Sequence, residues 1–280
     1  MTDNLSALRP RMMAVAYRML GSVADAEDAV QDAFVRYQTA GGVSSPQGFL
    51  VRTTTRLCID RLRERKRRGY VGPWVPEPVE TSGRESVLPD SLTQAFLLLL
   101  ERLTPDERAA FLLRNVFDYE YAEIAEVLGK SEVHVRQIVS RARQRVGQNG
   151  PRFHPSPREA GELAERFVAA CRAGDVKRIE EMFTENAEVH SDGGGKVSAA
   201  RVVVRGRDRA ARFLAGVFSK KRRDCAMHAT TVNGAPGVVF RSGGAVIQVV
   251  ALCIEGGGVH AVYMTNNPDK LSRWPAAEVE

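Results

Sequence analysis

The sequence predicts a multidomain chain in which two all-α helical modules precede an α+β domain. Three observations carry that expectation. Apolar residues recur with the helical period through most of the first 146 residues. Proline and glycine break that pattern at 69–88 and again at 148–157. Short strand-like runs separated by glycine turns fill the last third. A length of 280 residues accommodates two or three domains, and 44% hydrophobic with 26% charged residues suits folded domains with apolar cores.

The first module spans residues 1–68. Met13, Ala16, Tyr17 and Leu20 fall at i, i+3, i+4 and i+7, the spacing of one buried helical face. Val30, Ala33, Phe34 and Tyr37 repeat it after a break at Gly21-Ser22. Ser45-Pro46 supplies an N-cap and a first helical residue for a third helix. That helix runs into Arg61-Leu62-Arg63-Glu64-Arg65-Lys66-Arg67-Arg68, which sets six cations in eight residues. A linker at 69–88 follows, where Gly69, Gly72, Pro73, Pro76, Pro78 and Gly83 oppose a helix. Such a segment is extended and semi-rigid, rising about 3.1 Å per residue where it adopts polyproline geometry.

The second module, 89–147, opens on Leu92, Ala95, Phe96 and Leu99. Thr104-Pro105-Asp106-Glu107 reads as a capping box with proline at the first helical position, ahead of the stripe Ala109, Leu112, Leu113, Val116. Next, Tyr121, Ile124, Ala125 and Leu128 bury one side of a short helix, and Gly129 permits the sharp exit of a helix-turn-helix. Ser131 caps the following helix, whose Val135, Ile138, Val139, Ala142 and Val146 face inward. Glu132, His134, Arg136, Gln137, Ser140, Arg141, Arg143 and Gln144 are left outside, with the donors and acceptors that reach base edges and phosphates. The first turns are expected to read bases and the later arginines to hold phosphates.

After a second linker at 148–157, the third domain (158–280) predicts helices near 158–173, 175–184 and 207–219. Strands are expected at 187–192, 225–233, 236–241, 244–254 and 258–265. The net charge of +6 and pI near 9.3 point to an acidic partner because the cations cluster. Cys58, Cys171, Cys225 and Cys253 lie too far apart for a CxxC or Cys/His zinc pattern and read as free thiols of a reducing cytoplasm. No signal peptide and no apolar run near the ~20 residues of a membrane span is present, so a membrane role is not expected. No cofactor, metal ligand set or catalytic residue is assigned.

Several of these segments resemble a known family. Tyr17-Arg18-Met19-Leu20-Gly21-Ser22, Asp25 to Phe34 and Arg56 to Arg63 are similar to region 2 of extracytoplasmic-function sigma factors. Leu103-Thr104-Pro105, Tyr121 to Gly129 and Ser140-Arg141-Ala142-Arg143 are similar to region 4. Gly69 to Pro78, Asp192-Gly193-Gly194-Gly195-Lys196 and Asn267-Pro268-Asp269-Lys270-Leu271 resemble the motifs of a subgroup carrying a SnoaL-like cone domain. The resemblance implies core RNA polymerase and promoter DNA as partners. It also implies docking of the acidic helix face Glu27, Asp28, Gln31, Asp32 on the polymerase. Arg56, Arg61, Arg63, Arg65, Lys66 and Arg67 would then hold the −10 element, and Gly41 to Ser44 would take a flipped base. The chain departs from the family at Arg56, where many members carry asparagine.

For the third domain the resemblance leaves an enzyme, a ligand sensor and a clamp open. His190, Asp192, His228 and His260 are the residues an acid/base site would use, and such a site needs hydrogen-bond reach and tuned pKa values, neither of which any spacing in the sequence shows. A small ligand of unidentified chemistry could occupy the cone. The reading adopted is intramolecular: Trp74, Pro76, Glu77 and Pro78 meet Asp192 to Lys196 and Asn267 to Leu271, with Trp74 as anchor and Glu77 as a carboxylate for Lys196. The rival for the whole chain is a one-component helix-turn-helix regulator with a ligand-sensing domain, which leaves residues 1–68 without a task.

Overall fold

The structure, a computed structural model, describes residues 3–81, 92–147, 157–221 and 225–275. It divides into two compact units, residues 1–69 with 97–149 and residues 70–96 with 150–280. The described part of the linker expected at 69–88, residues 70–81, packs within the C-terminal unit. Residues 82–88 and 148–156 lie outside the described residues.

The helices of the first half are α1 (Asp3–Ser6), α2 (Arg9–Leu20), α3 (Val23–Thr39), α4 (Pro46–Arg68), α5 (Gln94–Leu100), α6 (Pro105–Asn115), α7 (Tyr121–Leu128) and α8 (Glu132–Val146). Their starts follow the side-chain caps in the sequence. Ser22 Oγ accepts from Asp25 N–H and Ser45 Oγ accepts from Gly48 N–H, each at 3.2 Å, and Thr104 and Glu107 form a reciprocal capping box. α2, α3 and α4 pack as a bundle around Met12, Met19, Leu20, Val30, Leu50, Cys58 and Leu62. Ala26, Ala29 and Ala33, all fully buried, face this core from α3. Each buried aliphatic side chain stabilises the bundle by about 1.5–3 kcal/mol.

The C-terminal unit contains α9 (Pro157–Ala173), α10 (Val176–Met182), β1 (Phe183–Asp192), β2 (Val204–Arg205), α11 (Arg207–Lys221), β3 (Ala226–Val232), β4 (Ala235–Ser242), β5 (Ala245–Glu255), β6 (Gly258–Thr265) and α12 (Pro268–Leu271). Its six-stranded mixed sheet has the order β2-β1-β6-β5-β4-β3, antiparallel except for the parallel β1–β6 pair. β1 begins four residues before the expected Ala187, and its pairing with β6 is irregular between Phe183 and Glu188. β2, two residues long, was not expected. One sheet face buries Val189, Phe240, Val250, Leu252 and Val262 against Phe167, Ile179, Leu214 and Phe218 from α9, α10 and α11. Phe218 and Phe240 stack at 5.0 Å between centroids. Strand alternation leaves Glu188, His190 and Asp192 on the opposite face of β1.

All four cysteines are free, with Cys58, Cys171 and Cys253 buried and Cys225 partly exposed. Among the described residues no helix is long and apolar enough to cross a membrane.

Candidate functional site

Two sites emerge, one on α7 and α8 and one where residues 70–81 meet the sheet. Glu120 and Glu123 cap α7, and Gly129, at φ 64°, turns the chain toward Ser131, whose Oγ accepts from His134 N–H at 3.3 Å. The five inward residues expected for α8, Val135, Ile138, Val139, Ala142 and Val146, are all buried. Glu132, His134, Arg136, Gln137, Ser140, Arg141, Arg143 and Gln144 are all exposed. A shallow groove of about 510 Å³ runs along Arg136, Gln137, Ser140, Arg141 and Gln144. The flanking arginines are held by the protein. Arg136 bonds Glu132 at 2.5 Å and lies 4.2 Å over the Tyr121 ring, while Arg143 donates twice to Asn115 Oδ1 at 2.7 and 2.9 Å.

The residues implied for the −10 contact divide into two groups. Arg56 donates to Val127 O at 2.9 Å and Glu126 O at 3.3 Å, filling acceptors at the C-terminal end of α7. Arg63 pairs with Asp106 at 2.8 Å, and Arg65 donates to Leu20 O at 2.8 Å and to Glu101 at 2.9 Å. Arg61 bonds Asp32 at 3.0 Å and Asp25 O at 2.6 Å, so the basic helix and the acidic face of α3 are joined. Lys66 and Arg67 are exposed and have no partner among the described residues. On α3, Asp28, Gln31 and Asp32 are exposed and Glu27 is half-buried.

The second site is built around Asp192, which is completely buried at the end of β1. Its carboxylate accepts from the Tyr70 hydroxyl at 2.6 Å, from Val75 N–H at 2.9 Å, from Gly194 N–H at 2.9 Å and from Lys270 Nζ at 2.7 Å. Burial and the hydrogen bond to Asp192 push the Tyr70 hydroxyl pKa well up, keeping it a donor. Lys270 also donates to Val75 O at 2.5 Å and sits 4.5 Å from the Trp74 ring centre and 5.1 Å from that of Tyr70. Asn267 caps α12 and donates to the Tyr70 oxygen at 3.1 Å. Gly194 has φ 60°, and a Cβ there would overlap the Asn267 amide, so glycine is required on both counts.

Farther along, the segment joins the outer edge of the sheet. Glu80 bridges Val232, Thr81 N–H donates to Thr231 O at 2.9 Å, and the Asn233 side chain accepts from Val79 N–H at 3.0 Å. Gln94 Nε2 donates to Pro76 O at 2.8 Å. Pro76, Glu77 and Pro78 are buried. One expected pairing is corrected: Lys196 binds Asp269 at 2.6 Å, not Glu77, because Lys270 already occupies the Trp74 side of the cluster. Asn233 and Gln94 carry no signal in the sequence, and Tyr70 stands there only as part of the Gly69-to-Pro78 motif, without a role of its own. Asn233-Gly234 reads only as a hairpin turn, and nothing local reveals that its amide reaches back to residue 79.

The histidines do not assemble. His190 bonds Glu188 at 2.9 Å, and Glu188 in turn accepts from Arg205 at 2.8 Å. His260 lies 3.4 Å from Thr184, His228 is exposed, and Asp192 is consumed in its ion pair. On the inner face of the sheet, the polar Ser191, Asn266 and Gln248 bond one another.

Comparison with known proteins sets these sites in context. Residues 5–68 match the Sigma-70 region 2 family, 93–146 the Sigma-70 region 4 family, and 164–261 the SnoaL-like domain. The chain is 35% identical to the ECF RNA polymerase sigma factor SigJ of Mycobacterium tuberculosis over 99% of its length and 95% of that protein's. The chain belongs to the extracytoplasmic-function sigma factors. It is 29% identical to the probable ECF sigma factor SigI of the same organism, over 95% of this chain and 92% of that one. The crystal structure of M. tuberculosis SigJ matches it with a TM-score of 0.78 at 32% identity, covering 99% of this chain and all of that one. This sigma factor, like its family, directs transcription initiation by binding core RNA polymerase and promoter DNA and is not an enzyme.

Proposed function

We propose that the SnoaL-like unit modulates initiation in cis by holding the segment that connects regions 2 and 4. The observation that carries this reading is Asp192, fully buried and bonded at once to Tyr70, Val75 and Lys270. A segment gripped at Tyr70, Val75 and Thr81 cannot act as a loose tether, so the connection available to the two promoter-reading modules is shortened and stiffened. Within this reading α8 contacts the −35 element through Glu132, His134, Arg136, Gln137, Ser140, Arg141 and Arg143. The basic residues of α4 serve the −10 element. Glu27, Asp28, Gln31 and Asp32 dock on core polymerase in the cytoplasm.

Run-off transcription with core polymerase tests the role of the grip. Trp74→Ala removes the aromatic wall beside Lys270 and should both increase proteolytic cleavage between residues 70 and 96 and change transcript yield at least twofold. Truncation at Gly147 should move yield in the same direction. Unchanged cleavage and unchanged yield in Trp74→Ala would reject modulation through this segment while leaving the sigma activity untouched.

A further inference from the structure

Val133 lies in the first turn of α8 and is 69% exposed. A lone exposed valine is ordinary on a protein surface. Its position is not. The buried face of α8 is defined by Val135, Ile138, Val139, Ala142 and Val146. With about 100° of rotation per residue, the line directly opposite passes through Val133, Gln137, Ser140 and Gln144, at i, i+4, i+7 and i+11. The charged residues sit to either side of it. Arg136 is braced on Glu132 and Tyr121, Arg143 on Asn115, and Arg145 on Glu107 at 2.6 Å. Gln137, Ser140 and Gln144, by contrast, have no side-chain partner among the described residues.

The outward face is thus a neutral central stripe between two rails of cations. Cations suit phosphates, which bound the groove on both sides, whereas a neutral line suits the base edges at its floor. Residues in the first turn of such a helix lie deepest in the major groove. A branched aliphatic side chain there has no hydrogen bond to offer. The one apolar group that base edges present in the major groove is the 5-methyl of thymine. Valine is also stiff about χ1, so its two methyls are held in place without loss of rotamer freedom on contact.

We propose that Val133 is a specificity-determining residue of the −35 contact and reads a thymine methyl group, with Gln137 one turn on positioned for an adjacent adenine. This rests on α8 being the base-reading helix. The neutral stripe selects an A·T-containing step, and the braced arginines fix the register in which it is read.

The test uses the full chain bound to core polymerase and the promoter sequence that this holoenzyme selects. Each thymine of the −35 element, on either strand, is replaced in turn by deoxyuridine, which deletes only the methyl. The wild-type holoenzyme should lose about fourfold in affinity at one position, the value of one buried methyl group. Val133→Ala should bind the unmodified site correspondingly more weakly and show no further loss with uracil at that position. Gln137→Ala should keep the uracil sensitivity and relax discrimination at a neighbouring adenine. Uracil tolerated everywhere by the wild type, or a uracil loss that persists in Val133→Ala, overturns the proposal. If neither Val133→Ala, Gln137→Ala nor Arg141→Ala alters −35 preference, the assignment of α8 as the reading helix falls with it. If Gln137→Ala alone alters it, that assignment stands and only the role of Val133 is lost.

Discussion

Within the helical unit, regions 2 and 4 meet through arginines that reach helix ends. Arg56 fills carbonyls at the end of α7, Arg108 fills Met19 O at the end of α2, and Arg65, itself bonded to Leu20 O within region 2, pairs with Glu101. Within the C-terminal unit, residues 70–81 meet the sheet through a carboxylate that is wholly enclosed. The two arrangements use similar charge-assisted bonds with different consequences. Helix-end carbonyls can be taken over by water if their arginines leave, and Arg63 and Asp106 are 54% and 26% exposed. Asp192 has no such recourse, because removing Lys270 leaves its carboxylate buried without a counter-charge. The region 2–region 4 contact is therefore exchangeable in large part, with buried Arg108 as its most committed member. The contact of the linker with the sheet is part of the fold.

Lys270→Met is the strongest way to break that contrast. It leaves Asp192 buried without its cation and should destabilise the C-terminal unit by about 3–5 kcal/mol, measured by urea unfolding of the full chain. Adding Asp192→Asn should recover much of the loss, since the unpaired charge is gone. A single-variant cost below 1 kcal/mol, with nothing recovered in the double variant, would show that Asp192 is hydrated and the linker contact as exchangeable as the other.

How much of this was visible beforehand follows from the range of each interaction. The helices were legible because their caps and stripes are local: Ser45-Pro46, the Thr104-to-Glu107 box and the five inward residues of α8 fall where the pattern puts them. β2 was not, since Val204-Arg205 is too short to show alternation. The pattern shows β1 only from Ala187, because Thr184-Glu185-Asn186 carries no apolar residue. The motifs around Asp192 and Lys270 are visible in the sequence, yet it points to Glu77 as the partner of Lys196, whereas Lys196 pairs with Asp269 and Lys270 meets the linker. Composition gives both lysines the same chemistry, and only packing separates the 55% exposed Lys196 side chain from the 9% exposed Lys270. Likewise six cations at the end of α4 count charge in the sequence but not how much of it is already engaged.

A milder perturbation acts on the outer sheet face. Burial beside Tyr263 lowers the His190 pKa below its ordinary value, an effect that outweighs the bond to Glu188, and Arg205 across Glu188 pushes the same way. A histidine held neutral in the fold binds its proton more readily when unfolded. The C-terminal unit should therefore lose stability as pH falls through about 6.5, the unfolded value, toward the lower folded value. The Glu188 carboxyl is burdened by burial, but its bonds to Arg205 and His190 win and hold it below the usual range, so it stays ionised across that window. His190→Gln should flatten the decline in melting temperature between pH 7 and pH 5. An unchanged slope would place the titrating group elsewhere.

The smallest expected effect probes the exchangeable contact itself. Asp106 accepts from Arg63 at 2.8 Å and lies 3.3 Å from Lys130, so it neutralises cations from both regions. If Arg63 serves promoter phosphate, Asp106 competes with DNA for it. Asp106→Asn should then cost at most about 1 kcal/mol of stability. It should raise the affinity of the free sigma factor for promoter DNA by a few-fold at low salt, with the gain shrinking as salt rises because one more phosphate contact steepens the salt dependence. Fluorescence anisotropy at two salt concentrations reads both quantities. An affinity that does not rise would mean that Arg63 holds region 4 rather than DNA even on the promoter, and that the two contacts differ less than their exposure suggests.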